Sequence, residues 1–328
     1  MSDDLVVNGR QVTSGFAGGV SRYAVELAKE LTGGVTLHPP EGFASGPLGH
    51  LWEQTVLPLR ASGSVLFSPA NYGPVWHPKH IVTIHDLSPL EHPEWFASSF
   101  VRLFRTIIPR LARNAAVVLT DSEFSRDRIA ELLDVEAVVA GVGVGAQFVD
   151  APDRQRDHSV VVVGGHDPRK NVRSVVRAWP LVTREIPDAE LIIVTGSRSP
   201  WVFDSSAEGS FPHEGVRTVS DVDDHELVEL LSTAGAAVFC SLYEGFGLPV
   251  LEAMATGTPV VCSDIPPLRE FADGTVEFVD PTSIESIANG IVKTLRSDST
   301  FGRQGQARAA DYTWSRVAAV VRDVAEQL

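Results

Sequence analysis

Hydrophobic residues enter this chain in two rhythms: short unbroken runs of Val, Ile and Leu, and longer stretches where they recur every third or fourth position. The short runs end on turn-forming residues, which predicts strands buried on both faces, and the longer stretches predict amphipathic helices. In the first half, strands are expected at residues 5–8, 35–37, 65–68, 81–85 and 116–120. Helices are expected from Gly18-Gly19 to Leu31, and at 98–113 and 122–133. The second half repeats the rhythm, with strands at 159–163, 191–195, 236–241 and 259–263 and helices at 171–184, 224–233, 249–255 and 284–295. Strand and helix in alternation predict βα units and therefore parallel sheets.

The periodicity breaks at residues 150–157, Asp-Ala-Pro-Asp-Arg-Gln-Arg-Asp, where Pro and charge replace apolar residues. The 328 residues are too many for one ordinary core and suit two domains. An α/β chain of two Rossmann-like, doubly wound domains is therefore expected, residues 1–150 and 151–311, facing each other across a cleft. Open α/β sheets bind ligands beyond the carboxyl ends of their strands. Gly18-Gly19, His85-Asp86, residues 164–170 and residues 244–248 all follow expected strands.

Composition narrows the function classes. A hydrophobic fraction of 44% and a charged fraction of 21% are those of a soluble globular protein. A net charge of −15 argues against a nucleic-acid partner, which would show a basic stripe. Cys240 and Cys262 lie in apolar runs with no CxxC or Cys/His spacing, so neither disulfides nor a zinc site is expected and the cytosol is the expected compartment. The acidic amino terminus and the lack of a long uncharged apolar run predict neither an export signal nor a membrane span. Charge is uneven, however: residues 98–114 carry Arg102, Arg105, Arg110 and Arg113 with no acid. That segment is either a solvated helix face or a contact with anionic lipid at the inner face of the membrane.

The chemistry concentrates in Glu244-Gly-Phe-Gly-Leu-Pro-Val-Leu-Glu252, between an expected strand and an expected helix. Pro249 suits a first helical turn, and Gly245 and Gly247 allow close backbone approach, so free amides at the helix start could hold an anion such as a diphosphate. Glu252, one turn in, could accept hydrogen bonds from vicinal hydroxyls. On spacing alone, an ordinary strand-to-helix turn with a solvated glutamate explains the segment equally well.

The longer run Ser241-Leu-Tyr-Glu-Gly-Phe-Gly-Leu-Pro-Val-Leu-Glu-Ala-Met-Ala-Thr-Gly-Thr-Pro-Val-Val resembles the donor-site signature of the retaining family-four glycosyltransferases of GT-B fold, including two glutamates separated by seven residues. Gly18-Gly-Val-Ser-Arg-Tyr resembles that family's first glycine loop, and Val163-Gly-Gly-His-Asp-Pro-Arg-Lys-Asn its donor-phosphate loop. Trp52-Glu-Gln and Ile84-His-Asp-Leu resemble segments of its mannosyltransferase-like members, and the tail Tyr312-Thr-Trp-Ser also resembles the family. The resemblance implies a metal-independent, cofactor-free transfer of a hexose, GDP-mannose being the suggested donor, from a nucleoside-diphosphate sugar to a saccharide, lipid-linked or small-molecule hydroxyl. It also implies that residues 312–328 form a helix crossing back to the first domain.

By the same resemblance, Glu252 binds the donor ribose, while Glu244 and the amides of Gly245, Phe246, Gly247 and Leu248 hold sugar and phosphates. Arg169 and Lys170 balance the diphosphate, Gly18 and Gly19 let the first domain's backbone approach it, and His85 lies near the donor sugar. Two bland readings stay open: Arg169 and Lys170 punctuating a helix start, whose dipole opposes cations, and His85 as a satisfied strand-end histidine. Many relatives have Gly-Arg where Gly164-Gly165 stands, leaving phosphate neutralisation to Arg169 and Lys170. An epimerase or hydrolase of the same fold and a non-catalytic nucleotide-sugar-binding protein are the alternatives. Residues 197–214 and the first domain's surface are expected to select donor and acceptor.

Two further patterns read as structure. Asp221-Val-Asp223 matches a metal-binding DXD, but its place before Glu226 predicts a helix cap. Gly141-Val-Gly-Val-Gly145 lacks the long helix of a dinucleotide loop and predicts a turn.

Overall fold

A computed structural model describes residues 5–13, 18–31, 33–44, 46–152, 154–165, 167–196, 214–297 and 300–328. The chain divides into two compact units: Met1–Gly143 together with Thr313–Leu328, and Val144–Tyr312.

The first unit contains β1 (Leu5–Asn8), α1 (Arg10–Thr13), α2 (Gly19–Glu30), β2 (Val35–Leu37), α3 (Gly46–Arg60), β3 (Val65–Ser68), β4 (His80–Thr83), α4 (Ser88–Glu91), α5 (Ser98–Asn114), β5 (Val117–Thr120), α6 (Glu123–Leu133) and β6 (Ala137–Val139). Its strands form one parallel sheet in the order β2-β1-β3-β4-β5-β6. The interior strands β1, β3 and β4 are buried at every position, as unbroken apolar runs require. Helix α5 turns Phe104, Ile108 and Leu111 into a core with Val82, Ile84 and Val118, while Arg102, Arg105, Arg110 and Arg113 are exposed. Those arginines thus sit on the side away from the apolar contact.

Helix α3 has no clean period and carries an interior Pro58, yet Trp52 and Leu57 pack with Val6 and Leu66. A buried ion pair locks it to the end of β1. Arg10 Nη1 lies 2.5 Å from Glu53 Oε2, Asn8 Nδ2 donates to Glu53 Oε1 at 3.0 Å, and Arg10 Nε donates to the Ala44 carbonyl at 3.2 Å. Burial alone would raise the Glu53 carboxyl, but hydrogen bonding from His50 and the Arg10 charge outweigh it and hold the group below its ordinary range.

The second unit contains α7 (Ala146–Val149), β7 (Ser159–Val163), α8 (Val172–Glu185), β8 (Glu190–Thr195), β9 (Val216–Ser220), α9 (Asp224–Thr233), β10 (Ala236–Phe239), α10 (Leu248–Ala255), β11 (Val260–Ser263), α11 (Pro266–Ala272), β12 (Glu277–Val279), α12 (Ile284–Arg296) and α13 (Phe301–Ala309). Its parallel sheet runs β12-β11-β10-β7-β8-β9, the doubly wound order in which the winding reverses between β7 and β10. Trp179, Val175 and Val182 of α8 and Ile287 and Ile291 of α12 cover one face, packed on Val160, Val162, Leu191 and Val238. Cys240 and Cys262 are free and buried, and burial pushes both thiols upward, away from reactivity.

The last helix, α14 (Trp314–Ala325), belongs to the first unit and packs on α2. Thr313 caps it, Trp314 meets Tyr23 edge-on with ring centroids 5.4 Å apart, and Ser315 Oγ donates to Glu30 Oε2 at 2.9 Å. Gly143 lies so close to the Trp314 backbone nitrogen that no Cβ fits there, which explains a glycine immediately before the boundary. Of the two decoy motifs, Asp223 forms a full capping box with Glu226 at the start of α9, and residues 141–145 lead only to the four-residue α7.

Breaking a buried pair strands a charge, so Glu53→Gln should destabilise the first unit by about 3 kcal/mol at neutral pH. A depressed carboxyl stabilises the fold above its unfolded value and loses that contribution as pH falls through its folded value. Urea titrations at several pH values should therefore show the wild-type advantage shrinking below about pH 4.5. An advantage unchanged down to pH 2 would contradict the pairing.

Candidate functional site

The winding reversal between β7 and β10 leaves two loops side by side at the carboxyl edge of the second sheet, where such sheets bind ligands. The β7 loop begins at Gly164-Gly165. Gly164 has φ +145 and the Lys170 side chain packed over it, with Cγ 2.6 Å from where a Cβ would stand. Gly165 has φ +50 and faces Thr195 at 3.1 Å. An arginine at 165 would have to adopt left-handed backbone against that strand end, so glycine here follows from local geometry. His166 lies outside the described residues.

A single 3-10 turn, Pro168–Lys170, follows. Asp167 accepts from the Arg169 backbone N–H at 3.0 Å and from its guanidinium Nη2 at 2.9 Å. Burial would raise the Asp167 carboxyl, but the Arg169 charge and hydrogen bonds hold it below its ordinary range. Asn171, with φ 52, turns the chain into α8 and anchors through its side-chain amide to the Pro281 carbonyl at 2.8 Å.

The β10 loop runs from Cys240 to Gly247 and opens α10 with Leu248 and Pro249. Gly247 has φ +112 and abuts Leu268, so only glycine makes this turn. Gly245, Phe246, Gly247 and Leu248 are buried. The Phe246 ring stacks on Phe271 with centroids 4.4 Å apart and lies 5.7 Å from Tyr312, so its side chain serves the packing beneath the loop. Glu252 is buried on the second turn of α10.

Two contacts join the loops. Lys170 Nζ donates to Glu244 Oε1 at 2.7 Å, with both side chains mostly buried, and the Leu242 N–H donates to the Arg169 carbonyl at 2.7 Å. Lys170 and Glu244, on the loops that lead into α8 and α10, therefore meet. Basic and acidic side chains held beside two helix amino termini form an arrangement suited to an anionic ligand that also bears hydroxyls.

In the first unit, His85 follows β4 and is held on every side. Its N–H donates to Asn71 Oδ1 at 2.8 Å, and its carbonyl accepts from Ser125 Oγ at 3.0 Å. Its ring lies edge-on to Tyr23, and its Nδ1 faces Asp121 Oδ2 at 2.8 Å while Nε2 faces the Pro69 carbonyl at 3.2 Å. Burial would lower the imidazole, but the Asp121 carboxylate and the second acceptor raise it above its ordinary value. Asp86 instead caps the next turn, accepting from the Ser88 N–H at 2.8 Å. Gly18 and Gly19 are exposed at the start of α2, and nothing lies within 4 Å of a Cβ placed on Gly18.

Sequence reasoning missed Asp121 and Asp167, the partners that fix His85 and Arg169. Asp121 stands directly after an expected strand, the one signal that could have marked it. The stretch expected to select the substrate, residues 197–214, lies outside the described residues except for Glu214. Among the described residues, no group of three or more His, Cys, Asp or Glu side chains is placed to hold a metal ion, and no helix is long and apolar enough to cross a membrane.

The family of glycosyl transferases group 1 matches residues 147–310, half of the chain. The O-antigen chain mannosyltransferase B of Escherichia coli is 29% identical over 268 residues, covering 74% of this chain and 70% of its own length. A glycogen synthase of Mycobacterium tuberculosis is 30% identical over 259 residues, covering 74% of this chain, which spans 62% of that relative. In fold, the Anabaena HepE structure in complex with UDP and glucose superposes with a TM-score of 0.74 at 15% identity, covering 99% of each chain. The two parallel six-stranded sheets are those of a GT-B glycosyltransferase. With its family signature on the very unit that carries the Lys170–Glu244 junction, the chain belongs to the group 1 glycosyl transferases.

Proposed function

We propose that this glycosyltransferase moves a hexose from a nucleoside-diphosphate sugar to an acceptor hydroxyl, with retention at the anomeric carbon and without a metal ion, and that GDP-mannose is the donor to test first. The observation that carries the reading is the meeting of Lys170 and Glu244 on the loops that lead into α8 and α10. The mannosyltransferase relative supports the sugar, and a neighbouring fold solved with UDP and glucose supports the donor class.

In this reading the amides of Gly245, Phe246, Gly247 and Leu248 and the cations of Arg169 and Lys170 take the diphosphate. Glu252 accepts from the ribose hydroxyls, and Glu244 from the hexose. His85, Gly18 and Gly19 of the first unit act in the same reaction, His85 lying near the donor sugar with its ring held in orientation by Asp121 and the Pro69 carbonyl. The bond from the anomeric carbon to the diphosphate oxygen breaks while a bond to the acceptor oxygen forms on the same face. The acceptor proton passes to the leaving phosphate. Charge accumulates on that phosphate in the transition state, so preorganised cations and amides aimed at it lower the barrier.

Two measurements check this. Lys170→Met should lower kcat/KM for the nucleotide sugar by about a hundredfold or more while EDTA leaves wild-type turnover unchanged. Donor consumption that ignores every acceptor would indicate a hydrolase or epimerase instead, and donor binding with no turnover a non-catalytic binder. Separately, the raised imidazole of His85 stabilises the first unit below its ordinary value of about 6.5, and that contribution is lost as pH rises through its folded value. Asp121→Asn should shift the fall in Tm to lower pH and depress turnover; an unshifted profile would deny Asp121 its orienting role.

A further inference from the structure

Leu48, Leu51 and Leu59 of α3 are 49, 55 and 69% exposed, and with Thr55 they fall within about 80° of arc at 100° per residue. Val56 extends the stripe at 36% exposure. Thr55 spends its hydroxyl on the Leu51 carbonyl at 2.7 Å, so it turns no unsatisfied donor outward. Alongside runs the segment between β3 and β4, built onto the helix by three hydrogen bonds. Gln54 Nε2 donates to the Gly73 carbonyl at 2.7 Å, the Val75 N–H donates to Gln54 Oε1 at 3.1 Å, and Trp76 Nε1 donates to the Gln54 carbonyl at 2.9 Å. The Trp76 ring is thus pinned with its polar atom satisfied, yet 54% of the residue is exposed. Monomers seldom leave such a contiguous set of large apolar side chains in water without a use for it.

The charge around this stripe identifies its partner. The chain carries 42 acids against 27 basic residues, but residues 42–80, which follow the exposed Glu41, contain one acid, Glu53, which is buried and paired with Arg10. Arg60 and Lys79 are exposed at the end of the helix and of the adjoining segment. A contact between His77 Nε2 and the Ala61 carbonyl at 3.2 Å holds those two ends together.

We propose that this face of the first unit docks on an anionic lipid surface, with Leu48, Leu51, Leu59 and Trp76 entering the interface and Arg60 and Lys79 meeting the headgroups. Leu and Trp on one side of a helix with flanking cations are the chemistry of interfacial insertion. A net charge of −15 repels most of the molecule from such a surface, so this acid-poor segment also sets the orientation. A second copy is disfavoured because a two-fold pairing of this face brings like cations together. The arginine row of α5 offers mainly charge, because Phe104, Ile108 and Leu111 point into the core.

The test uses the full chain, without donor or acceptor, so that it is independent of the proposed reaction. Flotation with vesicles of phosphatidylcholine alone, and with one third phosphatidylglycerol, should show binding to the second only. Leu51→Glu with Leu59→Glu should cut partitioning by more than about tenfold, and Arg60→Ala or Lys79→Ala by roughly fivefold each. Circular dichroism should be unchanged, since all four positions are exposed. Replacing Arg102, Arg105, Arg110 and Arg113 by alanine should leave most of the binding. The proposal is overturned if the double glutamate variant floats like wild type, if the α5 replacement alone abolishes binding, or if sedimentation velocity finds a dimer that the glutamates dissociate and no vesicle binding.

Discussion

Between β7 and β10 the second sheet reverses its direction of winding, and the two loops that leave it there are bridged by the Lys170–Glu244 pair and the Leu242–Arg169 backbone hydrogen bond. Much of what is distinctive nearby is a condition for that bridge. Gly164 makes room for the Lys170 stem, Asn171 turns the chain into α8, and Gly247 lets α10 start beneath Leu268. An ion pair with little exposure is a weak source of net stability, because desolvating both charges offsets most of their attraction. In the proposed function its sense is better found in exchange: an arriving diphosphate would offer Lys170 a new partner and free Glu244 for hydroxyls. In the proposed reaction the pair therefore keeps both groups placed and desolvated before the donor arrives.

The first unit relies on a different device. Its sheet edge is organised around His85, whose backbone and ring atoms all have partners drawn from the segments after β3 and β5 and from α6. Such a residue is fixed in place whatever else it does. Asp121 is the carboxylate whose charge and hydrogen bond raise the imidazole above its ordinary value. Farther along, α14 leans Trp314 on Tyr23, which in turn lies against the His85 ring. The C-terminal helix thus contributes to the packing behind that histidine.

Interior strands were readable because burial on both faces leaves unbroken apolar runs, as in Ser159–Val163, and Asp224–Thr233 was readable from its cap and its period. The strands that escaped notice, Ala137–Val139, Val216–Ser220 and Glu277–Val279, lie at sheet edges, where fewer neighbours constrain composition. Helix α3 escaped because Pro58 and Gly49 blur its period while tertiary packing of Trp52 and Leu57 holds it. Residues carried by a local motif, such as Gly247 and Glu252, could be singled out through its resemblance to a family signature, while spacing alone left an ordinary turn equally open. Partners joined only by the fold, Asp121 to His85 across 36 positions and Glu244 to Lys170 across 74, leave no such spacing.

The central claim is that the junction at the second sheet's winding reversal holds a nucleoside diphosphate. Hydrogen–deuterium exchange of the intact chain, with and without a nucleoside diphosphate, reads that directly at the backbone. The account predicts slowed exchange at the amides of Gly164, Gly165, Gly245, Phe246, Gly247 and Leu248. Ligand binding that leaves those amides unprotected, while protecting others elsewhere in the chain, would contradict it.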